Sequence, residues 1–126
     1  MKKILIVLAD YYDDISLSLL KSAKNDLNNF SLKVIKVPGV FEIPITISKN
    51  IKKYDAFLAL GCVIKGETPH FDFISSASTQ AIMNLAVKSK KPIGNGIITC
   101  LNMKQAKARG KKGKEAAKAV ISVLSQ

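Results

Sequence analysis

Between residues 61 and 73 the chain reads Gly-Cys-Val-Ile-Lys-Gly-Glu-Thr-Pro-His-Phe-Asp-Phe, and His70 within it is the only histidine in the protein. An imidazole changes charge near neutral pH, so it can pass protons to and from a reacting molecule. Just ahead of it Gly66, Glu67 and Thr68 form a polar stretch that ends in Pro69. A threonine hydroxyl can cap the unpaired amides of a helix start, and proline already holds the helical φ and carries no donor. A helix that opens here aims N–H groups and the positive end of its dipole at whatever lies in front, which suits a phosphate without any metal. Lys65 adds positive charge. Taken singly, a lone histidine and a glycine-bearing turn are equally at home as plain structure; together they outline a pocket with a proton carrier and an anion site.

These residues must be held by elements that the flanking sequence predicts. Asp55-Ala56-Phe57-Leu58-Ala59-Leu60 reads as a buried strand, and from His70 to about Lys88 apolar residues recur at helical spacing. Gly61 to Pro69 is therefore expected to be the turn from a strand's carboxyl end into a helix, the edge where open α/β sheets hold ligands. The same alternation fills the rest of the chain. It predicts a strand over Lys3–Leu8, a helix from Ile15 to about Asn29, a strand over Leu32–Val37 and, after the turn Val37-Pro38-Gly39, a helix over Glu42–Ile51. A strand over Pro92–Thr99 follows, then helical segments around Asn102–Arg109 and Lys114–Leu124, divided by the charged break Lys111-Lys112-Gly113-Lys114. Buried strands separated by helices require right-handed crossovers and give a parallel sheet covered on both faces. The expected fold is α/β, a three-layer α-β-α sandwich around a four-stranded parallel sheet, flavodoxin-like, with residues 1–126 as a single domain.

Three loops, Asp10–Asp14, Pro38–Phe41 and Gly61–Pro69, are then expected to meet at the carboxyl edge of the sheet. The first offers Tyr11 and Tyr12, either able to stack on a planar ring; the second offers backbone amides and Glu42; the third offers His70. The plain structural alternative leaves the tyrosines in an exposed loop and Glu42 complementing a helix dipole.

Bulk properties narrow the classes. A chain of 126 residues buries about two-thirds of its unfolded surface as one domain and is too short for two of that kind. Hydrophobic content of 48% with 6% aromatics and no Trp fits a core of Ile, Leu, Val and Ala. The apolar run after Met1-Lys2-Lys3 is stopped by Asp10, Asp13 and Asp14, so it does not read as a secretory signal, and no other run could span a membrane. A cytoplasmic protein is expected. Cys62 and Cys100 form no CxxC pair, and with one histidine they make no ordinary zinc set, so unpaired thiols and no metal are expected. The net charge is +11, and Lys88 to Lys118 holds ten Lys or Arg against the single acid Glu115. Such a tail reads as a solvated basic surface first, an attractor of phosphorylated substrate second and a nucleic-acid binder last, since no aromatic follows Phe73 to stack on bases.

With the motifs in place, Val37-Pro38-Gly39-Val40-Phe41-Glu42-Ile43-Pro44 is similar to a PGAFEIP segment, and Gly61–Phe73 to a GxVIRGxTxHxDY segment. Gln105-Ala106 through Arg109, with Lys112-Gly113, is similar to a closing basic stretch. In this order and spacing, over nearly the whole chain, they resemble the 6,7-dimethyl-8-ribityllumazine synthase family of riboflavin biosynthesis. The resemblance implies condensation of 5-amino-6-(D-ribitylamino)uracil with 3,4-dihydroxy-2-butanone 4-phosphate, releasing phosphate and water, with no metal and no organic cofactor. It implies that Tyr11 stacks on the pyrimidine and that Val40, Phe41, Glu42, Cys62, Val63 and Ile64 line the uracil and ribityl pocket. Gly66, Glu67 and Thr68 would hold phosphate, His70 would move protons, Arg109 would grip phosphate oxygens, and Lys112 would lie near the substrate from the same end. The chain departs from the family pattern in having Asp10-Tyr11-Tyr12 for Arg-Phe-Asn, Asn95 for an aromatic over the ring, and Lys65 for arginine.

The resemblance also implies a homo-oligomeric ring of five, with each site shared between neighbours: Tyr11, Phe41 and His70 from one subunit, Asn95, Arg109 and Lys112 from the next. A first core strand that starts almost at residue 1 and a short link between the last helices favour a pentamer or decamer over a sixty-subunit shell. Two other classes compete. A flavin- or nucleotide-binding module of the same fold would not need His70, and a basic RNA-binding domain would bind with steep salt dependence.

Overall fold

The computed structural model describes residues Met1–Gln126. Strand β1 (Lys3–Ala9) is followed by helix α1 (Asp13–Lys24), strand β2 (Ser31–Val37), a 3₁₀ turn over Val40–Glu42 and helix α2 (Ile43–Lys49). Then come β3 (Ala56–Ile64), α3 (His70–Ser89), β4 (Ile93–Cys100), α4 (Met103–Ala108) and α5 (Lys112–Leu124). The sheet is wholly parallel with strand order β2-β1-β3-β4, which is the flavodoxin-like order over its first four strands.

The layers follow from period-two alternation along strands buried on both faces. Ile4, Ile6 and Leu8 of β1, with Leu58 and Leu60 of β3, meet Ile15 and Leu19 of α1 and Ala116, Ala117 and Val120 of α5. Leu5, Val7, Phe57 and Ala59 point the other way, onto Ile43 and Ile47 of α2 and Ile74 and Ile82 of α3. Each of these buried Ile, Leu, Val or Phe side chains contributes about 1.5–3 kcal/mol. Gly94 of β4 lets α5 lie close against the sheet, because a Cβ there would sit 2.5 Å from the Ala116 carbonyl oxygen. No helix is long and apolar enough to cross a membrane.

Four boundaries differ from the sequence expectation. The expected turn over Gly61–Pro69 is strand as far as Ile64, pairing Gly61 with Ile97 and Ile64 with Cys100, and the Lys65 amide still donates to the Cys100 carbonyl at 2.8 Å. Gly61 serves close approach rather than a turn: a Cβ there would lie 2.9 Å from Val40 Cγ2 and 3.0 Å from Ala9 Cβ. Helix α1 starts at Asp13, where two acids suit its first turn, and ends at Lys24, before turn-forming asparagines and an aspartate. The helix expected over Glu42–Ile51 opens instead as the 3₁₀ turn and stops at Asn50, whose backbone N–H caps it. The break between the last helices is Arg109-Gly110-Lys111; Lys112 and Gly113 are already helical, and Gly113 is buried against α1.

Candidate active site

The chain runs from β1 out to β2 and then crosses back to β3, so the carboxyl ends of β1 and β3 mark the point where the direction of winding reverses, the favoured place for a ligand crevice. A hollow of about 400 Å³ lies there, lined by Tyr11, Tyr12, Pro38, Gly39, Val40, Phe41, Glu42, Cys62, Val63, Ile64, His70 and Ile74. The loop after β1 is tied down at its base. The Asp10 amide donates to the Val37 carbonyl at 2.9 Å, and the buried Ser16 hydroxyl donates to the Ala9 carbonyl at 2.7 Å. Above that base Tyr11 stands 72% exposed while Tyr12 packs against the core, their ring centroids 4.8 Å apart and planes at 78°. That is the edge-to-face geometry aromatic quadrupoles prefer, and it leaves most of the Tyr11 side chain exposed at the rim.

The second wall is the 3₁₀ turn, which buries Val40 against Gly61 and leaves Phe41 72% exposed at the rim. Glu42 lies at the junction of this turn with α2, its backbone carbonyl accepting from Thr46 Oγ1 at 2.8 Å. The third wall is the end of β3 and the start of α3. His70 is the first residue of α3 and is exposed at the mouth of the hollow, with Ile74 one helical turn on. Thr68 does not cap the helix in the expected way: Pro69 occupies the cap position, and the Thr68 hydroxyl reaches only the His70 amide, at 3.4 Å. Gly66, Glu67 and Thr68 form an exposed loop beside the hollow rather than its lining. A Cβ on Gly66 would meet nothing within 4 Å, so the packing of this chain does not itself demand a glycine there.

Two groups in the floor titrate abnormally. Burial, then the nearby Cys100, pushes the Cys62 thiol up to about 12. Burial, then Cys62 and Tyr11, raises the Tyr12 phenol. Both stay neutral at physiological pH, so the floor presents uncharged surface to a ligand.

Asn95, Arg109 and Lys112 are elsewhere. They line a second hollow of about 500 Å³, formed by β4, the turn between α4 and α5 and the first turn of α5, and no residue lines both hollows. The Asn102 side chain accepts from the Gln105 amide at 2.9 Å and Gln105 accepts from the Leu101 amide at 2.8 Å, which fixes the start of α4 and so the position of Arg109 at its end. Arg109 Nη1 donates to the Thr99 carbonyl at 3.0 Å and lies 4.0 Å from Cys100 Sγ, leaving the other edge of the guanidinium without a protein partner. Asn95 turns back on its own strand, accepting from the Ile97 amide at 3.1 Å. Lys111 and Glu115 also line this hollow.

The loop Pro38–Phe41 lies at the first hollow as the sequence implies, while Ile74 is a lining residue the sequence analysis does not assign; its one-turn spacing from His70 is the signal that points to it. No three of His, Cys, Asp or Glu gather where a metal ion could be held.

Comparison with known proteins gives a consistent result. A family model described as 6,7-dimethyl-8-ribityllumazine synthase matches residues 1–126. A protein of that name from Rhodopseudomonas palustris (strain BisA53) is 45% identical over 134 aligned positions, covering 95% of this chain and 82% of the relative. One from Agrobacterium fabrum is 44% identical, covering 96% and 91%, and one from Methylorubrum extorquens (strain PA1) is 42% identical, covering 98% and 79%.

Proposed function

The chain belongs to the 6,7-dimethyl-8-ribityllumazine synthase family, a family of transferases, and on that premise we propose how its two hollows carry out the condensation of 5-amino-6-(D-ribitylamino)uracil with 3,4-dihydroxy-2-butanone 4-phosphate. The observation that carries this reading is the first hollow itself: a largely apolar crevice with a neutral floor, the exposed rings of Tyr11 and Phe41 at its rim and the chain's only imidazole at its mouth. Tyr11 stacks on the pyrimidine; Val40, Phe41, Glu42, Cys62, Val63 and Ile64 surround the uracil and ribityl chain. The amine attacks the ketone and water leaves to give an imine. Phosphate is then eliminated to leave an enol, which tautomerises to a new carbonyl, and attack of the ribityl-bearing amine on that carbonyl closes the ring and releases a further water. His70 takes and returns the protons of these steps, while most of the acceleration comes from holding two substrates in reactive geometry.

The phosphate of the second substrate needs cations, and those are in the other hollow. The free edge of Arg109 offers a planar fork for two phosphate oxygens, with Lys112 beside it and the bare backbone of Gly66, Glu67 and Thr68 on the opposite side. Because the hollows share no residue, the site is completed by placing the first hollow of one subunit against the second hollow of its neighbour, with Asn95 facing the pyrimidine from across the contact. A cyclic assembly of five does this with one repeated heterologous contact. Ile45, Phe73, Met83 and Val87 on the α2–α3 side are more than half exposed, apolar surface of the kind such a contact covers. The direct test mixes purified protein with both substrates and follows the lumazine chromophore together with released phosphate. Flavin binding without turnover of the precursors would overturn the proposal.

A further inference from the structure

We propose that a second anion site, separate from the substrate hollows, lies behind the turn Arg109-Gly110-Lys111 and takes a small phosphate-class anion. The turn backs onto α1 across a hollow of about 360 Å³ whose lining includes Ser18, Lys21, Ser22, Asn25, Lys107 and Lys111. No carboxylate lines it. Three lysines lining one concavity that has no carboxylate make it electropositive, and the Ser18 hydroxyl and Asn25 side-chain amide beside them, which donate to no other group in the protein, can give an anion direction as well as charge. The backbone contributes too. The amides of Gly110 and Lys111, consecutive in the chain and both at this hollow, donate to no acceptor in the protein. Successive unpaired amides of this kind make anion-binding concavities.

The turn is held flush to α1. Ser22 Oγ donates to the Gly110 carbonyl at 2.7 Å, and a Cβ on Gly110 would overlap Ser18 Oγ. Lys111 lines both this hollow and the one that contains Arg109 and Lys112. An anion seated behind the turn therefore fixes the segment that carries Arg109 in front of it. The site itself is independent of the assigned reaction; only the consequence for Arg109 rests on that reading. A stacked nucleic acid fits poorly, because no aromatic lines the hollow.

The test follows backbone amide resonances of the assembled, deuterated full chain while inorganic phosphate is added at constant ionic strength. Ser18, Ser22, Gly110 and Lys111 should shift saturably, and should still do so in Arg109→Ala, which separates this site from the substrate hollow. Lys21→Ala with Lys107→Ala, both exposed and away from the core, should weaken that binding about tenfold. Glycerol 3-phosphate in a parallel titration tells a free phosphate from the phosphoryl group of a small ester by which binds tighter. Shifts that grow without saturation, spread over all surface lysines or persist unchanged in the double variant would overturn the proposal. Phosphate also competes at the Arg109 fork, so the coupling is read as a difference: if the site binds but phosphate raises the apparent KM for the butanone phosphate by the same factor in the double variant and the parent, only the coupling to Arg109 fails.

Discussion

The two hollows at the carboxyl edge of the sheet have opposite chemistry. The one between β1 and β3 is lined mainly by hydrophobic residues, with two tyrosines and a neutral floor; the one at β4 is mainly polar and carries Arg109, Lys111 and Lys112 against the single acid Glu115. A planar heterocycle and a phosphorylated ketone make the same two demands. A low-dielectric crevice strengthens stacking and holds a neutral ring, but desolvates phosphate at high cost; a wet cationic hollow does the reverse. On the shared-site reading proposed above, segregating the demands on one chain and rejoining them across a contact would let each half keep the environment that suits it.

The sharpest way to break this comparison is to damage each half in a different chain. Arg109→Ala removes the two charge-assisted hydrogen bonds proposed for phosphate and should slow turnover about a hundredfold, whereas His70→Ala should cost about ten- to a hundredfold, because proton transfer is one part of a reaction driven by proximity. Unfolded together and refolded as a mixture, the two variants should regain activity at about one quarter of their contacts, where an intact first hollow meets an intact second one. No recovery, or light scattering that shows an active monomer, would mean that one chain holds the whole site.

A smaller effect sharpens the comparison into a dissociation of affinities. Arg109→Lys keeps the charge and loses the fork, so the apparent KM for the butanone phosphate should rise about tenfold with the pyrimidine nearly unaffected. Tyr11→Leu should do the opposite, since the exposed ring is propped by Tyr12 and carries no part of the core. Equal losses for both substrates in either variant would show that the hollows do not divide the labour as assigned.

Residue pattern made most of the sheet legible, because buried parallel strands leave continuous apolar runs and their covering helices leave three- and four-residue spacing. Glycine caused the main misreadings. Gly61 looked like the opening of a turn and is strand, its missing side chain accommodating Val40 and Ala9; Gly113 looked like a helix break and is helix, fitted against Leu19 of α1. Both are tertiary contacts, invisible to local propensity. In the candidate site, loops that follow neighbouring parallel strands must converge, so Tyr11, Phe41 and His70 could be grouped from order alone. That Arg109 belongs to a separate hollow depends on the tip of β4 and the capping of α4, which periodicity does not encode.

The smallest expected effect concerns the wall between the hollows. Cys62 lines the first, Cys100 touches Arg109 in the second, and Cys62 is held neutral by burial with Cys100 alongside. Its thiol ionises near 9 in an unfolded chain and only at about 12 in the folded one. Between those values the unfolded state has released a proton that the native state keeps, so the native state binds more protons and stability must fall as pH rises. The contribution is whole below about pH 9 and is lost progressively up to about pH 12. The measurement is a difference, so that every other group cancels: denaturant midpoints of the parent and of Cys62→Ala at several pH values from about 8 to about 11. Alanine lowers the whole curve by leaving a cavity, but it removes the titrating thiol, so the parent's curve should descend more steeply above pH 9 and approach the variant's. Parallel curves would mean that the thiol is not held neutral and that the floor of the first hollow is wetter than its lining implies.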